Sequence, residues 1–239
     1  SKKIAEGTGA LVLDVKVGSG AFMKELSQAT ELAETMVALG KDAGVTTVAL
    51  LTDMSTPLGL TAGNAVEIAE SVEVLAGGGP RDVVDLTIAL AREMVAGAGR
   101  SDVDPAEVLA DGRAMDVWRR MIAAQGGDPD APLPTPRETH VVTAPTSGVL
   151  TSLDALAVGV AAWRLGAGRS RPGEQVQAAA GVVLHAKPGD TVRAGQPLIE
   201  LHTDTPERFA RAAAALEDAF AIGSDAPELP ASVVLGRVD

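Results

Sequence analysis

Ala10 to Leu13 is uninterruptedly apolar, and "GVTTVALLTDM" from Gly44 to Met54 is apolar and β-branched. Between them Leu26, Leu32, Ala33, Met36 and Val37 recur at spacings of three and four. The first pattern predicts a strand over Ala10–Asp14, the last a helix over about Met23–Leu39 with one apolar face, and the second a strand buried on both sides. A strand, a helix and a strand in so short a stretch make a right-handed βαβ unit of a parallel sheet. Both strands end on an aspartate, Asp14 and Asp53, and run into loops of small residues. Ligands of open parallel sheets bind beyond the carboxyl ends of the strands, so Lys16–Phe22 and Met54–Gly63 are expected to share one rim. Ser1–Glu6 reads as a helical stub.

Three helical patterns follow, over Asn64–Leu75, Val83–Ala96 and Asp111–Ala124. "GGDPDAPLPTPR", Gly126–Arg137, then concentrates proline and glycine and reads as a linker. Beyond it come short strands and turns, a helix at about Leu153–Leu165, and strands at Val182–His185 and Leu198–His202 around "KPGD" and "RAGQP". A last helix starts at Thr205 and Pro206 with Phe209, Ala213, Leu216 and Phe220 as its stripe. The expected organisation is an α/β core over residues 1–125, with a parallel or mixed sheet and flanking helices. A linker at 126–137, a C-terminal α+β barrel-sandwich-like module over 138–223, and a tail at 224–239 complete it.

Composition narrows the function classes. The chain has 32 acidic against 20 basic residues, a net charge of −12, which disfavours binding to a nucleic-acid backbone. No apolar run reaches the roughly 18 residues of a membrane helix, and no secretory pattern opens the chain, so a cytoplasmic protein with no membrane partner is expected. Cysteine is absent, which removes disulfides, thiolate catalysis and cysteine-zinc sites. Starting on Ser1, with a core strand only a few residues away, the chain reads as a piece of a longer one.

Candidate chemistry sits at the rim. Gly18 and Gly20 either make a tight turn over which Phe22 packs under the next helix, or let backbone approach a ligand whose planar group meets Phe22. Glu67, Glu70 and Glu73 share one side of a helix, as a solvated face or a metal site. His140, His185 and His202 match no zinc spacing and read as ordinary, partly buried histidines. "GVVLHAKPGDTVRAGQPLIEL" has the pattern of lipoyl- and biotinyl-carrying modules, but no Met-Lys pair stands at a hairpin tip. Lys187 in the turn is therefore read as structural, with a carrier role as the alternative.

"SKKIAEGTGALVLDVKVGSGAFMK", "TVALLTDMSTPLG", "AGNAVEI" and the late "GAGR…AAGVVLHAKPGDTV" resemble, in the same order, the C-terminal half of thymidine and pyrimidine-nucleoside phosphorylases. The likeness runs from Ser1 to about Gly223. Anthranilate phosphoribosyltransferases share the fold but lack both the "DVKVGSGAF" segment and the C-terminal module. The resemblance implies phosphorolysis of a pyrimidine nucleoside such as thymidine, giving the free base and (deoxy)ribose 1-phosphate. Inorganic phosphate is then the co-substrate, with no organic cofactor and a homodimeric full-length enzyme. It implies that Lys2 contacts the pyrimidine ring and acts as the catalytic cation, and that Phe22 lines the base pocket. It also implies a hard cation, potassium, held by the carbonyls of Leu58 and Thr61 and the carboxylate of Glu70. Family members commonly carry alanine at the position of Thr61, which a backbone ligand tolerates.

One departure stands out. The family's Lys-His-Ser-Thr-Gly-Gly phosphate loop and its helical dimerisation domain lie upstream of "SKK", and no comparable loop occurs in this sequence. The expectation is a partial enzyme, inactive by itself. A carrier-like binding module and a phosphoribosyltransferase remain the rival readings.

Overall fold

The structure is a computed structural model and describes residues 5–239. Lys2, and nearly all of the expected helical stub, lie outside them. β1 (Ala10–Val17) and β2 (Thr46–Asp53) are parallel, in register from Ala10 opposite Thr46 to Val17 opposite Asp53. The crossover between them is α1 (Leu26–Asp42). Its buried stripe is Ala29, Ala33, Val37 and Gly40, packed on Val15, Val17, Ala49 and Leu51. Leu26, Leu32 and Met36, expected on the inner face, are exposed instead. Small residues win the inner face because they let the helix lie close to the sheet: at Gly40 any Cβ would collide with Thr47.

The other face of the pair is covered by α3 (Arg81–Gly97), which follows β3 (Thr61–Gly63) and α2 (Ala65–Leu75). Gly97 lies where a Cβ would press on Ala10. Short α4 (Pro105–Ala110) and amphipathic α5 (Arg113–Ala124) lead into the exposed, irregular segment at 126–137.

β4 (Glu138–Thr143), β5 (Gly148–Leu153), α6 (Ala155–Ala162) and a π-helical turn (Trp163–Ala167) open the second half of the chain. Next come β6 (Gly181–Leu184), β7 (Thr191–Val192), β8 (Pro197–Thr203), a 3₁₀ turn (Pro206–Arg208), α7 (Phe209–Ala213) and β9 (Phe220–Gly223). They build two sheets, ordered β3-β6-β8-β4 and β7-β5-β9, around a core that includes Leu150, Leu165, Leu184, Ile199 and Leu201.

Sheet membership crosses the expected divisions twice. β3, from the first half, is an edge strand of the second half's larger sheet, pairing antiparallel with β6. The 224–239 segment, expected to be a tail, carries β10 (Val234–Val238), which pairs antiparallel with β2 and so makes the first sheet mixed. Arg237 of β10 grips Glu93 of α3 in two-pronged fashion, at 2.8 and 3.1 Å, fastening the returning strand. The expected last helix is cut short: after Ala213 the chain turns, and Phe220 enters β9 opposite Leu153 of β5. Leu216 and Ala219 are buried on the way, so strand pairing and core burial override the helical spacing.

A candidate rim for a planar ligand and a cation

The loops after β1 and β2 do share one rim, and they are stitched together. The amide of Met54 donates to the carbonyl of Val17 at 2.7 Å, that of Gly20 to Met54 at 2.9 Å, and the Ser19 hydroxyl to the carbonyl of Ser55 at 3.1 Å. The glycines serve this stitching. Gly18 has φ +124°, and a Cβ on Gly20 would stand 2.8 Å from the Met54 carbonyl oxygen. Gly18 further donates to Met23, and Lys24 to Ser19, closing the loop on itself.

Phe22 rides on this closed loop and is 100% exposed, so it does not pack beneath α1. A wholly uncovered phenylalanine on a rigid rim is a flat apolar surface open to a planar partner. Below the rim, on the face of β1 away from α1, Lys16 Nζ lies 2.8 Å from Asp14 Oδ2, and the buried Thr52 hydroxyl donates to the other oxygen of Asp14.

The second part of the rim is the Pro57–Thr61 segment, and its anchor is Lys187. From the KPGD turn between β6 and β7, its ammonium donates to the carbonyls of Pro57 (2.6 Å) and Gly59 (2.9 Å) and to Asp82 Oδ2 (2.6 Å). Asp82, in the first turn of α3, also accepts from the amides of Gly59 and Val83, both at 3.0 Å. Burial works against the charge on Asp82, but Lys187 and these amides outweigh it and hold the carboxyl below its ordinary range. With three acceptors around it, Lys187 is committed to this junction. Sequence reading left it in a turn and passed over Asp82, because their separation of 105 residues leaves no local signature.

Glu70, on α2, accepts from the amide of Leu60 at 2.8 Å, with its carboxyl pushed up, first by burial and further by the charge of Asp82. Beside it the Thr61 hydroxyl is buried; it meets no acceptor at full hydrogen-bond geometry, yet it stands close enough to the Glu70 carboxylate to favour its charged form and so offset part of the burial effect. Thr61, Glu70, Glu73 and His185 line one open cavity of about 560 Å³, whereas Leu58 lines a neighbouring one of about 160 Å³ with Asp53, Asp82 and Lys187. Among the described residues no group of three or more His, Asp or Glu side chains has metal-holding geometry. A cation here would therefore depend on backbone oxygens around the single carboxylate of Glu70.

Of the other acidic residues on α2, Glu67 accepts from the amide of Gly63 at 2.7 Å and so fixes the helix entry. His185 and His202 both contact Glu200, at 3.2 and 3.1 Å, and His140 packs on Phe209 with ring centres 5.5 Å apart.

Comparison with known proteins agrees with this arrangement. Residues 1–115 match the family model "Glycosyl transferase family, a/b domain", and residues 149–223 match "Pyrimidine nucleoside phosphorylase C-terminal domain". The chain is 58% identical over 234 residues to a thymidine phosphorylase of Mycobacterium tuberculosis, covering 98% of this chain and 55% of that protein. It is 40% identical over 215 residues to a pyrimidine-nucleoside phosphorylase of Bacillus subtilis, covering 85% of this chain and 50% of that protein. It therefore spans about half the length of the curated relatives it matches. With two family models matched in order along one chain and this identity over nearly all of it, the chain belongs to the thymidine and pyrimidine-nucleoside phosphorylase family.

Proposed function

We propose that this chain supplies the base-binding wall and the cation loop of a pyrimidine-nucleoside phosphorylase, and that the phosphate-holding half comes from sequence upstream of "SKK". The carrying observation is the rim itself: two interlocked βα loops presenting an uncovered Phe22, next to a segment pinned by Lys187 and Glu70. In the proposed reaction a phosphate oxygen forms a bond to C1′ of the sugar while the C1′–N bond breaks, its electron pair passing to the pyrimidine. A ring stacked on Phe22 and an ammonium from Lys2 at a base carbonyl would hold the departing anion. Thymidine is the substrate that the nearer relative's name supports.

The carrier reading loses ground to the three bonds made by Lys187, which leave its ammonium no freedom as an attachment point. The two later sheets are read as a barrel-sandwich-like scaffold whose task is to hold that lysine in place. As in the family, a homodimer is proposed for the full-length enzyme.

The test is thymine release from thymidine, with and without phosphate, by this chain and by a chain extended with the upstream half that its relatives carry. Phosphate-dependent release by the extended chain alone is expected. Absence of release from the extended chain, or consumption of pyrophosphorylated ribose instead, would overturn the proposal.

A potassium ion bound by the Leu58 and Thr61 carbonyls and Glu70 has a separable signature. Because the carboxyl of Glu70 titrates above its ordinary range, its ionisation opposes folding as the pH rises through that raised value. Without potassium at neutral pH, Glu70→Gln should therefore melt no lower than the parent. Replacing sodium by potassium should raise the parent's melting temperature by about 2–4 °C, roughly 1 kcal/mol for a chain of this size, and leave the variant unmoved. Equal responses would move the cation elsewhere.

A further inference from the structure

A second site lies in the C-terminal part, far from any rim chemistry in the sequence. A cavity of about 310 Å³ is lined by Trp163, Arg164, Ser170, Glu174, Arg208 and Arg211, among others. We propose that this cavity binds a phosphate-bearing small molecule, with the guanidinium groups of Arg164, Arg208 and Arg211 as its anion-binding groups and Trp163 as its flat wall.

Gathering three guanidiniums into one small cavity costs like-charge repulsion, and in a chain of net charge −12 with only 20 basic residues it does not follow from a surplus of cations. Their pairing inside the protein is incomplete. Among the described residues, Arg211 has no side-chain partner, although its carbonyl accepts from Arg164 Nη1 at 2.7 Å. Among the described residues that bond is the only one made by the Arg164 guanidinium, whose Nε is buried without an acceptor. Arg208 reaches the Arg164 carbonyl at 3.4 Å and stands 3.7 Å from Glu174. Donor capacity for a planar, two-pronged grip on an oxyanion is thus left over.

The cavity already holds one oxyanion of the protein's own. Glu174 accepts from the amide of Ser170 at 2.7 Å and from its hydroxyl, with Arg208 beyond. These donors keep its carboxyl below the ordinary range. Glu174 and Glu207 together leave the lining one positive charge in excess, which suits a phosphate better than a neutral ligand.

The frame is rigid where it has to be. Arg164 sits on the π-helical turn, an element that often marks functional positions. The turn is fixed from behind: Thr203 donates to the Leu165 carbonyl at 2.8 Å, the amide of Gln177 to Gly166 at 2.9 Å, and Asn64 to Ala167 at 3.0 Å. Preorganisation of this kind lowers the ordering cost of binding. The site is independent of the proposed catalysis, since it uses neither the rim nor the upstream half.

The experiment uses this chain with Trp118→Phe, so that Trp163 is the only fluorophore of its class. Its emission is titrated with inorganic phosphate and, separately, with glycerol 3-phosphate, against potassium chloride at equal ionic strength. A saturable change with a dissociation constant of about 1 mM or tighter is expected. Arg211→Ala, whose guanidinium supports nothing else, should weaken it about tenfold with unchanged circular dichroism and melting temperature. Tighter binding of the ester assigns the site to phosphomonoesters, and tighter binding of free phosphate assigns it to the ion. No saturable change beyond that of chloride, or equal affinity in Arg211→Ala, would overturn the site.

Discussion

Lys187→Met should lower the unfolding free energy by about 2–4 kcal/mol in urea titrations, and most of that loss should come from what the lysine leaves behind. Methionine keeps the length of the stem but strips a charge partner from Asp82 and a donor from each of the Pro57 and Gly59 carbonyls. The pair is three-quarters and two-thirds buried, so solvent screens it only in part and the effect should exceed that of a surface ion pair. Three further results separate this mechanism from a generic packing loss. Adding Asp82→Asn to Lys187→Met should recover about half of the deficit, because the stranded carboxylate is gone while the Gly59 amide keeps an acceptor.

The pH profile should change as well. Asp82 has a depressed carboxyl in the fold, so its contribution is complete above the unfolded-state value and is lost as the pH falls through the depressed one. The parent should therefore lose stability on acidification more steeply below about pH 4 than the double variant. Hydrogen exchange should localise the damage to the Gly59 and Leu60 amides, which donate to Asp82 and Glu70. A loss under about 0.5 kcal/mol, with exchange at Gly59 unchanged, would mean that the segment holds its shape without the clamp.

How much of this was legible beforehand divides along sequence distance. The βαβ unit was readable because Ala10–Leu13 and the run from Gly44 to Met54 are each apolar enough to be sandwiched between layers and are joined by one amphipathic helix, although β1 runs on through Lys16 and Val17 into what was expected to be loop. Of the stripe expected on that helix's inner face, Ala33 and Val37 are buried but Leu26, Leu32 and Met36 are not, because periodicity ranks long apolar side chains above alanine, whereas close packing on the sheet ranks Ala29 and Gly40 above leucine. β3 and β10 were not foreseen. Three residues around Gly63 have no strand signature until Gly181–Val183 lies beside them, and β10 is isolated by a proline-containing stretch before it.

The site shows the same division. Phe22 stood out at the end of the first strand, whereas Leu58, Thr61 and Glu70 were assigned together only through the family resemblance. Phe22 lies on the first rim loop, Leu58 on the second, Thr61 opens β3 and Glu70 is on α2, with Leu58 and Glu70 in separate cavities. The clamp of Lys187 on Asp82, and the convergence of Arg164 with Arg208 and Arg211, are products of tertiary folding. No local pattern announces them.

In the extended enzyme Lys2→Ala should reduce kcat/KM for thymidine by about 10²–10³, the largest catalytic effect expected of any residue of this chain. The physical reason is where the charge develops. Thymidine carries no net charge at the base, while the departing pyrimidine gathers the electron pair of the broken C1′–N bond, so a fixed ammonium at a ring carbonyl binds the transition state better than the substrate. The deficit should accordingly fall mainly on kcat, and it should shrink for nucleosides whose pyrimidine is a better leaving group, such as one with an electron-withdrawing substituent at C5. Under the proposed stacking, Phe22→Ala would remove a surface felt by substrate and transition state alike, so it should raise KM several-fold with kcat nearly intact. The contrast between the two variants is the diagnostic. Equal losses in kcat for both would place Phe22 in the chemistry. Near-normal turnover in Lys2→Ala would remove Lys2 from it and shift the search to Lys16, whose ammonium already stands beside Asp14 under the same rim.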